Sequence, residues 1–203
     1  MIARVEKRFK SPGPQPNGLQ AADDGLWVID QANLKVYKLD WETGETLFEA
    51  QTDTEHSSGI TLGGGYLWIA STFELKIAKL SIETGETIEK YDSPGAGIIS
   101  TREGVEGAQV TGSHGMEWKD GMLYIATPPS QMVHVIDVET WEEVDQFRTP
   151  GPCNHGLTRG RKWSPVGGRY VSRRRQLTGH QRWPGLRCVS GRSAGRGTRY
   201  DGP

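Results

Sequence analysis

Four positions, each one residue ahead of a recurring glycine, carry side chains able to bind ligands or move protons. They are Asn17 before Gly18, Ser58 before Gly59, His114 before Gly115 and His155 before Gly156. His56 lies two residues before Ser58, and Glu117 and Trp118 follow closely after His114. A neutral imidazole ligates metals and serves as a general base near pH 7. A nearby carboxylate can orient or complete it, and Glu117 is the best placed in sequence. His114, His155 and Glu117 are therefore the candidate catalytic or metal-binding groups. Asn17, His56, Ser58, Trp118 and Arg102 are the candidate ligand-binding groups. The competing reading is that each histidine only hydrogen-bonds a neighbouring element. His134 falls at a different place in its unit and reads as structural. No HExxH, CxxC pair or EF-hand loop is present, so the metal's identity stays open. Gly63-Gly64-Gly65 reads as a turn rather than a phosphate loop, because no helix and no Lys-Ser/Thr pair follow.

The elements that position these residues repeat. Leu26-Trp27-Val28-Ile29-Asp30 returns 41 residues later as Leu67-Trp68-Ile69-Ala70-Ser71, and again as Leu123-Tyr124-Ile125-Ala126-Thr127. Lys35–Asp40 returns as Lys76–Ser81 and Met132–Asp137, and Glu42-Thr43-Gly44 as Glu83-Thr84-Gly85 and Glu139-Thr140-Trp141. Each unit holds four short apolar runs rich in residues that fit a pleated surface. Asp23-Asp24-Gly25, Gly63-Gly64-Gly65 and Lys119-Asp120-Gly121 supply the positive φ of tight hairpins. No stretch keeps a helical period. Four antiparallel strands per period of this size predict an all-β chain and a β-propeller, in preference to a solenoid. In a propeller the first strand of each blade lines a central channel, so residues ahead of the recurring glycine meet at its mouth.

The predicted organisation is an outer strand over 4–12, blades over 14–55, 56–95 and 112–151, and the start of a fourth blade over 152–158. About three to four blades are legible, which predicts an incomplete ring. The outer strand follows from Phe9-Lys10-Ser11-Pro12-Gly13, which matches Tyr91-Asp92-Ser93-Pro94-Gly95 and Phe147-Arg148-Thr149-Pro150-Gly151. Such a strand closes a ring by pairing with strands from elsewhere. The third copy arrives 15 residues late, which places an insertion around 95–110, on the face where the channel opens. It reads either as part of a binding face or as a tolerated loop.

The pattern stops near residue 158. The fourth unit's second strand is due near 164, where Ser164-Pro165-Val166-Gly167-Gly168 stands instead. Residues 1–158 carry 12 basic against 24 acidic side chains, while 159–203 carry 12 basic, almost all Arg, against Asp201 alone. The formal net charge of −1 hides these opposed halves. The tail reads as a basic arm, as a disordered extension or as a frameshifted translation; the last explains why a blade is cut off after one strand. The acidic body excludes nucleic acid as its partner. No run of 18 apolar residues predicts a membrane span, and the start lacks a signal peptide's apolar core. A cytoplasmic setting is expected. Cys153 and Cys188 make no disulfide framework.

The units Pro16-Asn17-Gly18-Leu19, Asp24-Gly25-Leu26-Trp27-Val28, Val36-Tyr37-Lys38-Leu39-Asp40 and Glu42-Thr43-Gly44 resemble the repeats of streptogramin (virginiamycin B) lyase-like propellers. They also resemble the related NHL/YVTN and gluconolactonase-like repeats. The resemblance spans about residues 5–158. It implies a six- or seven-bladed ring that opens a cyclic depsipeptide by elimination, with a divalent metal, Mg or Ca. That family's catalytic His and Glu come from late blades, so no residue of this chain inherits their role. The gluconolactonase type needs a Glu, Asn and Asp set, of which Asn17 alone is matched. Two functions are thus expected: a lyase-like enzyme acting on a cyclic or ester-bearing small molecule, or a non-catalytic propeller binding a small ligand, peptide or protein. The legible part is expected to be inactive by itself and to self-associate through its open edge.

Overall fold

A computed structural model describes residues 6–149, 151, 154–159 and 186–189. Three four-stranded antiparallel sheets follow one another along the chain. The first holds β1 (Pro16–Ala22), β2 (Gly25–Asp30), β3 (Lys35–Leu39) and β4 (Thr46–Gln51). The second holds β5 (Ser57–Gly63), β6 (Tyr66–Ser71), β7 (Lys76–Ser81) and β8 (Thr87–Asp92). The third holds β9 (Met116–Lys119), β10 (Met122–Thr127), β11 (Met132–Asp137) and β12 (Glu142–Arg148). Strand order within each sheet is sequence order, and the first strands β1, β5 and β9 lie against one another. The fold is an open β-propeller of three complete blades. Among the described residues the one helical turn is Ser100–Arg102, inside the insertion, so no helix there is long enough to cross a membrane.

The blades stack through both faces of their central strands, so these runs are continuously apolar rather than alternating. Trp27, Ile29 and Val36 of the first blade pack on Ile60, Leu67, Ile69 and Leu80 of the second. Trp68, Ala70 and Ile77 pack in turn on Met116, Leu123 and Ile125 of the third. Trp27 and Trp68 are fully buried, so both are blade-packing residues, and the Nε1–H of Trp68 donates to the Gly63 carbonyl at 3.1 Å.

Turn chemistry repeats with the blades. Asp40 Oδ1 accepts the N–H groups of Glu42 and Thr43 at 2.9 and 2.8 Å. Ser81 Oγ does the same for Glu83 and Thr84, and Asp137 Oδ1 for Glu139. Each turn then needs a left-handed residue, and Gly44, Gly85 and Trp141 hold it at φ 73°, 75° and 56°. Trp141 is the exception, since a bulky residue is strained there. Its ring lies on Tyr91 at 3.9 Å and 17°, and on Trp68 at 6.2 Å and 16°, which offsets the strain.

The inner strands approach closely because each carries glycine at the same place. A Cβ on Gly59 would lie 1.7 Å from the His114 carbonyl oxygen, and one on Gly115 would lie 2.8 Å from that of His155. No side chain fits between strands at this distance.

One part of the predicted organisation differs. Residues 6–12 form no strand, because no strand of the described residues offers them a ladder. Their placement nonetheless follows the repeat. Phe9 packs on Val28, Tyr37 and Leu39 and covers Gly44, as Ala50 covers Gly85. The Asp30 carboxylate fixes the segment's end by accepting the Gln15 N–H at 2.6 Å. Beyond residue 155, β13 (Gly156–Arg159) pairs antiparallel with β14 (Leu186–Val189). The due position near 164, and most of the arginine-rich tail, lie outside the described residues.

Candidate functional site

The segments leading into the inner strands bring three imidazoles and one guanidinium into one neighbourhood. His114 precedes β9 and His155 precedes β13, and the inner-strand approach at Gly115 brings them together. Nδ1 of His114 lies 3.0 Å from Nδ1 of His155, with the rings perpendicular. His114 is buried, whereas His155 is exposed. Nε2 of His114 is itself buried and, among the described residues, has no hydrogen-bond partner. Burial first, and then the nearby His155 and His56, together push the His114 imidazole down to about 4. His155 is also held below its ordinary value, first by partial burial and then by the positive charge of Arg102. Both rings are therefore neutral at pH 7.

His56 is half-buried at φ 50° and stacks on Phe73 at 4.0 Å and 8°. Arg102 is exposed at the end of the insertion's 3-10 turn. That loop is tied down by the Gly97–Thr111 bridge, and its Ser100 Oγ accepts a hydrogen bond from Gln131 Nε2 at 3.1 Å. The insertion thus sits on the face of the β10–β11 turn, where the inner strands begin.

The other sequence-predicted groups divide. Asn17 and Ser58 lie at equivalent points of the rim, but their polar atoms join blades. Asn17 Nδ2 donates to Gln31 Oε1, the Ser57 carbonyl and Ser58 Oγ at 2.7, 3.1 and 3.3 Å. Thr72 Oγ1 is within hydrogen-bond distance of both Ser58 Oγ and the Ser113 carbonyl, at 2.8 and 2.9 Å. Glu117 stands three residues along an extended strand, roughly 10 Å from His114. Its Oε1 accepts the Trp118 N–H at 3.3 Å. Trp118 lies at the far end of the inner strand, between blades. It stacks on Trp68 at 6.2 Å and covers Gly63 and Gly64, which form the hairpin opposite the mouth. His134 is structural: Nδ1 meets Glu143 at 2.5 Å and Nε2 meets Ser130 at 2.9 Å.

One further feature has a signal in the repeat, and another has none. Hydroxyls recur as Ser11, Thr52, Ser93 and Thr149 ahead of each inner strand. The last three donate their N–H to Leu34, Leu75 and Gln131, which are all left-handed. This hydroxyl row is part of the scaffold. Phe73 follows Thr72 in the β6–β7 turn, and only its stack on His56 marks it.

Among the described residues no three His, Cys, Asp or Glu converge to hold a metal ion. The facing imidazoles offer nitrogen, whereas Mg and Ca take oxygen ligands. These residues do not make such a site.

No protein-family model and no curated protein matches the chain. Solved structures do. Glutaminyl cyclase from Myxococcus xanthus is 12% identical with a TM-score of 0.54, over 70% of this chain and 56% of that one. A catalytically inactive virginiamycin B lyase from Staphylococcus aureus, with quinupristin, is 18% identical with a TM-score of 0.51, over 75% and 49%. Hydrazine synthase from Kuenenia stuttgartiensis is 14% identical with a TM-score of 0.52, over 76% and 42%. Similarity at this level is of fold. The chain spans about half the length of these structures.

Proposed function

We propose that the channel mouth binds a small cyclic or ester-bearing molecule and opens it, with His155 as the imidazole that meets the substrate. The observation that carries this reading is the pair of neutral imidazoles at 3.0 Å, with the Arg102 cation beside the exposed member. In an eliminative opening, His155 would polarise a carbonyl, and a base from outside this pair removes the proton next to it. The electron pair forms a carbon–carbon double bond, and the ester oxygen leaves as a carboxylate. The guanidinium supplies charge for the oxygen that becomes negative. Mg or Ca belongs to this proposal as an expectation from the resemblance, with ligands from outside the described residues.

Because the legible part is expected to be inactive by itself, the test is quinupristin ring opening by the 203-residue chain at concentrations where it self-associates, followed by mass spectrometry, with and without EDTA. Ring opening lost by about 100-fold or more in His155→Gln supports the reading. No opening of any cyclic ester or lactone overturns it.

A second reading is favoured by one observation. Each imidazole spends its Nδ1 on the other, and Ile98, Val105 and Val110 are bare on the same inserted loop as Arg102, at 42%, 58% and 47% exposure. A propeller that binds a ligand or peptide on this face without chemistry fits those residues. Saturable binding of quinupristin without ring opening would select it.

A further inference from the structure

The imidazole pair carries information about where its protons are. Two neutral rings with Nδ1 facing Nδ1 share one proton between them, so one ring donates and the other accepts. Two arrangements are possible. If His155 donates, its Nε2 keeps a lone pair for use as a base. His114 must then carry its proton on Nε2. That nitrogen is buried and meets no acceptor among the described residues, so the arrangement would leave an orphaned buried N–H. Such groups are rare and cost the full desolvation of the donor. If His114 donates, its buried Nε2 keeps only a lone pair, and the proton of His155 sits on Nε2. His155 is exposed, so that N–H can meet solvent or a ligand. Burial also disfavours the charged state that would let both rings donate.

We infer that His114 donates its Nδ1–H to Nδ1 of His155, and that His155 presents Nε2–H at the channel mouth as a donor to a carbonyl or carboxylate oxygen. His114 is then a positioning residue: it never meets the ligand, and it fixes which nitrogen of His155 is protonated. His155 works as a neutral donor that polarises an oxygen, not as the base that removes a proton. Arg102 adds charge of the same use, since a guanidinium also donates only. The proton assignment stands on the geometry of the pair and the burial of His114. The ligand class rests on the proposed reading of the mouth as a ligand site.

Long-range 1H–15N correlation spectra of the histidine-labelled full chain at pH 7 test both parts. The expected spectrum shows His114 protonated on Nδ1 and His155 on Nε2, in at least about tenfold excess over the reverse pair. His155→Gln assigns the signals by removing one set. A His114 signal protonated on Nε2 overturns the assignment, even in an inactive protein. The wild-type spectrum is decisive without any variant, so a variant that fails to fold does not spoil the test. Acetate and methyl acetate are then titrated as probes. Movement of the His155 Nε2 signal with acetate alone marks a carboxylate site, and movement with the ester marks a carbonyl site. If neither probe moves it at concentrations up to solubility, the ligand class is overturned while the proton assignment stands.

Discussion

At the scale of the residue, His114 makes the protein acid-sensitive. Its imidazole is pushed from an ordinary 6.5 down to about 4 when folded, mainly by burial. The unfolded chain therefore binds a proton between these values that the folded chain refuses. Stability is fully present above about 6.5 and is lost as pH falls towards 4. The drop is worth on the order of 3 kcal/mol. Denaturant midpoints measured between pH 7 and pH 4.5 should fall accordingly, and His114→Gln should flatten that slope. The pair itself was half legible. The recurrence of a polar residue before each glycine marks Asn17, Ser58, His114 and His155 as equivalents. It does not reveal that two of them touch while the other two are absorbed in blade-to-blade hydrogen bonds. That outcome depends on side-chain length, for Asn17 reaches Ser58 and the Ser57 carbonyl, whereas two imidazoles meet ring to ring.

At the scale of the element, the inner strands and the outer turns make separate predictions. Gly59→Ala would force a methyl group to within 1.7 Å of the His114 carbonyl. The strands must separate, at a cost of about 3 kcal/mol, and the imidazole pair should shift with them. Thermal melts would read the first effect and histidine chemical shifts the second. Trp68→Ala should cost about 3–5 kcal/mol by opening the interface of the second and third blades. Trp141→Gly relieves a left-handed φ of 56° but removes the ring from Tyr91 and Trp68. Loss of the stack should win, with a net loss of about 1–2 kcal/mol and a change in tryptophan fluorescence. The strands were legible because the period fixes them and because both faces of each middle strand are apolar. Trp118 was misplaced for a related reason. Alternation puts it on the side of Met116, towards the second blade, and it belongs to the aromatic stack rather than the mouth.

At the scale of the molecule, three complete blades leave an open first face, on which Leu19 is bare at 62% exposure. Concentration-dependent association is the expected behaviour, measurable by light scattering after size separation, and Leu19→Lys should weaken it. A monomer at every concentration would remove the reason for that face to stay apolar. The seat of Phe9 adds a kinetic consequence. One ring holds residues 6–12 where an outer strand belongs, while their amides lack a ladder among the described residues. Hydrogen exchange should therefore find fast amides beside a slowly released side chain. The segment is a strand position filled by packing before it is filled by hydrogen bonds, which leaves its backbone free to capture an arriving sheet edge.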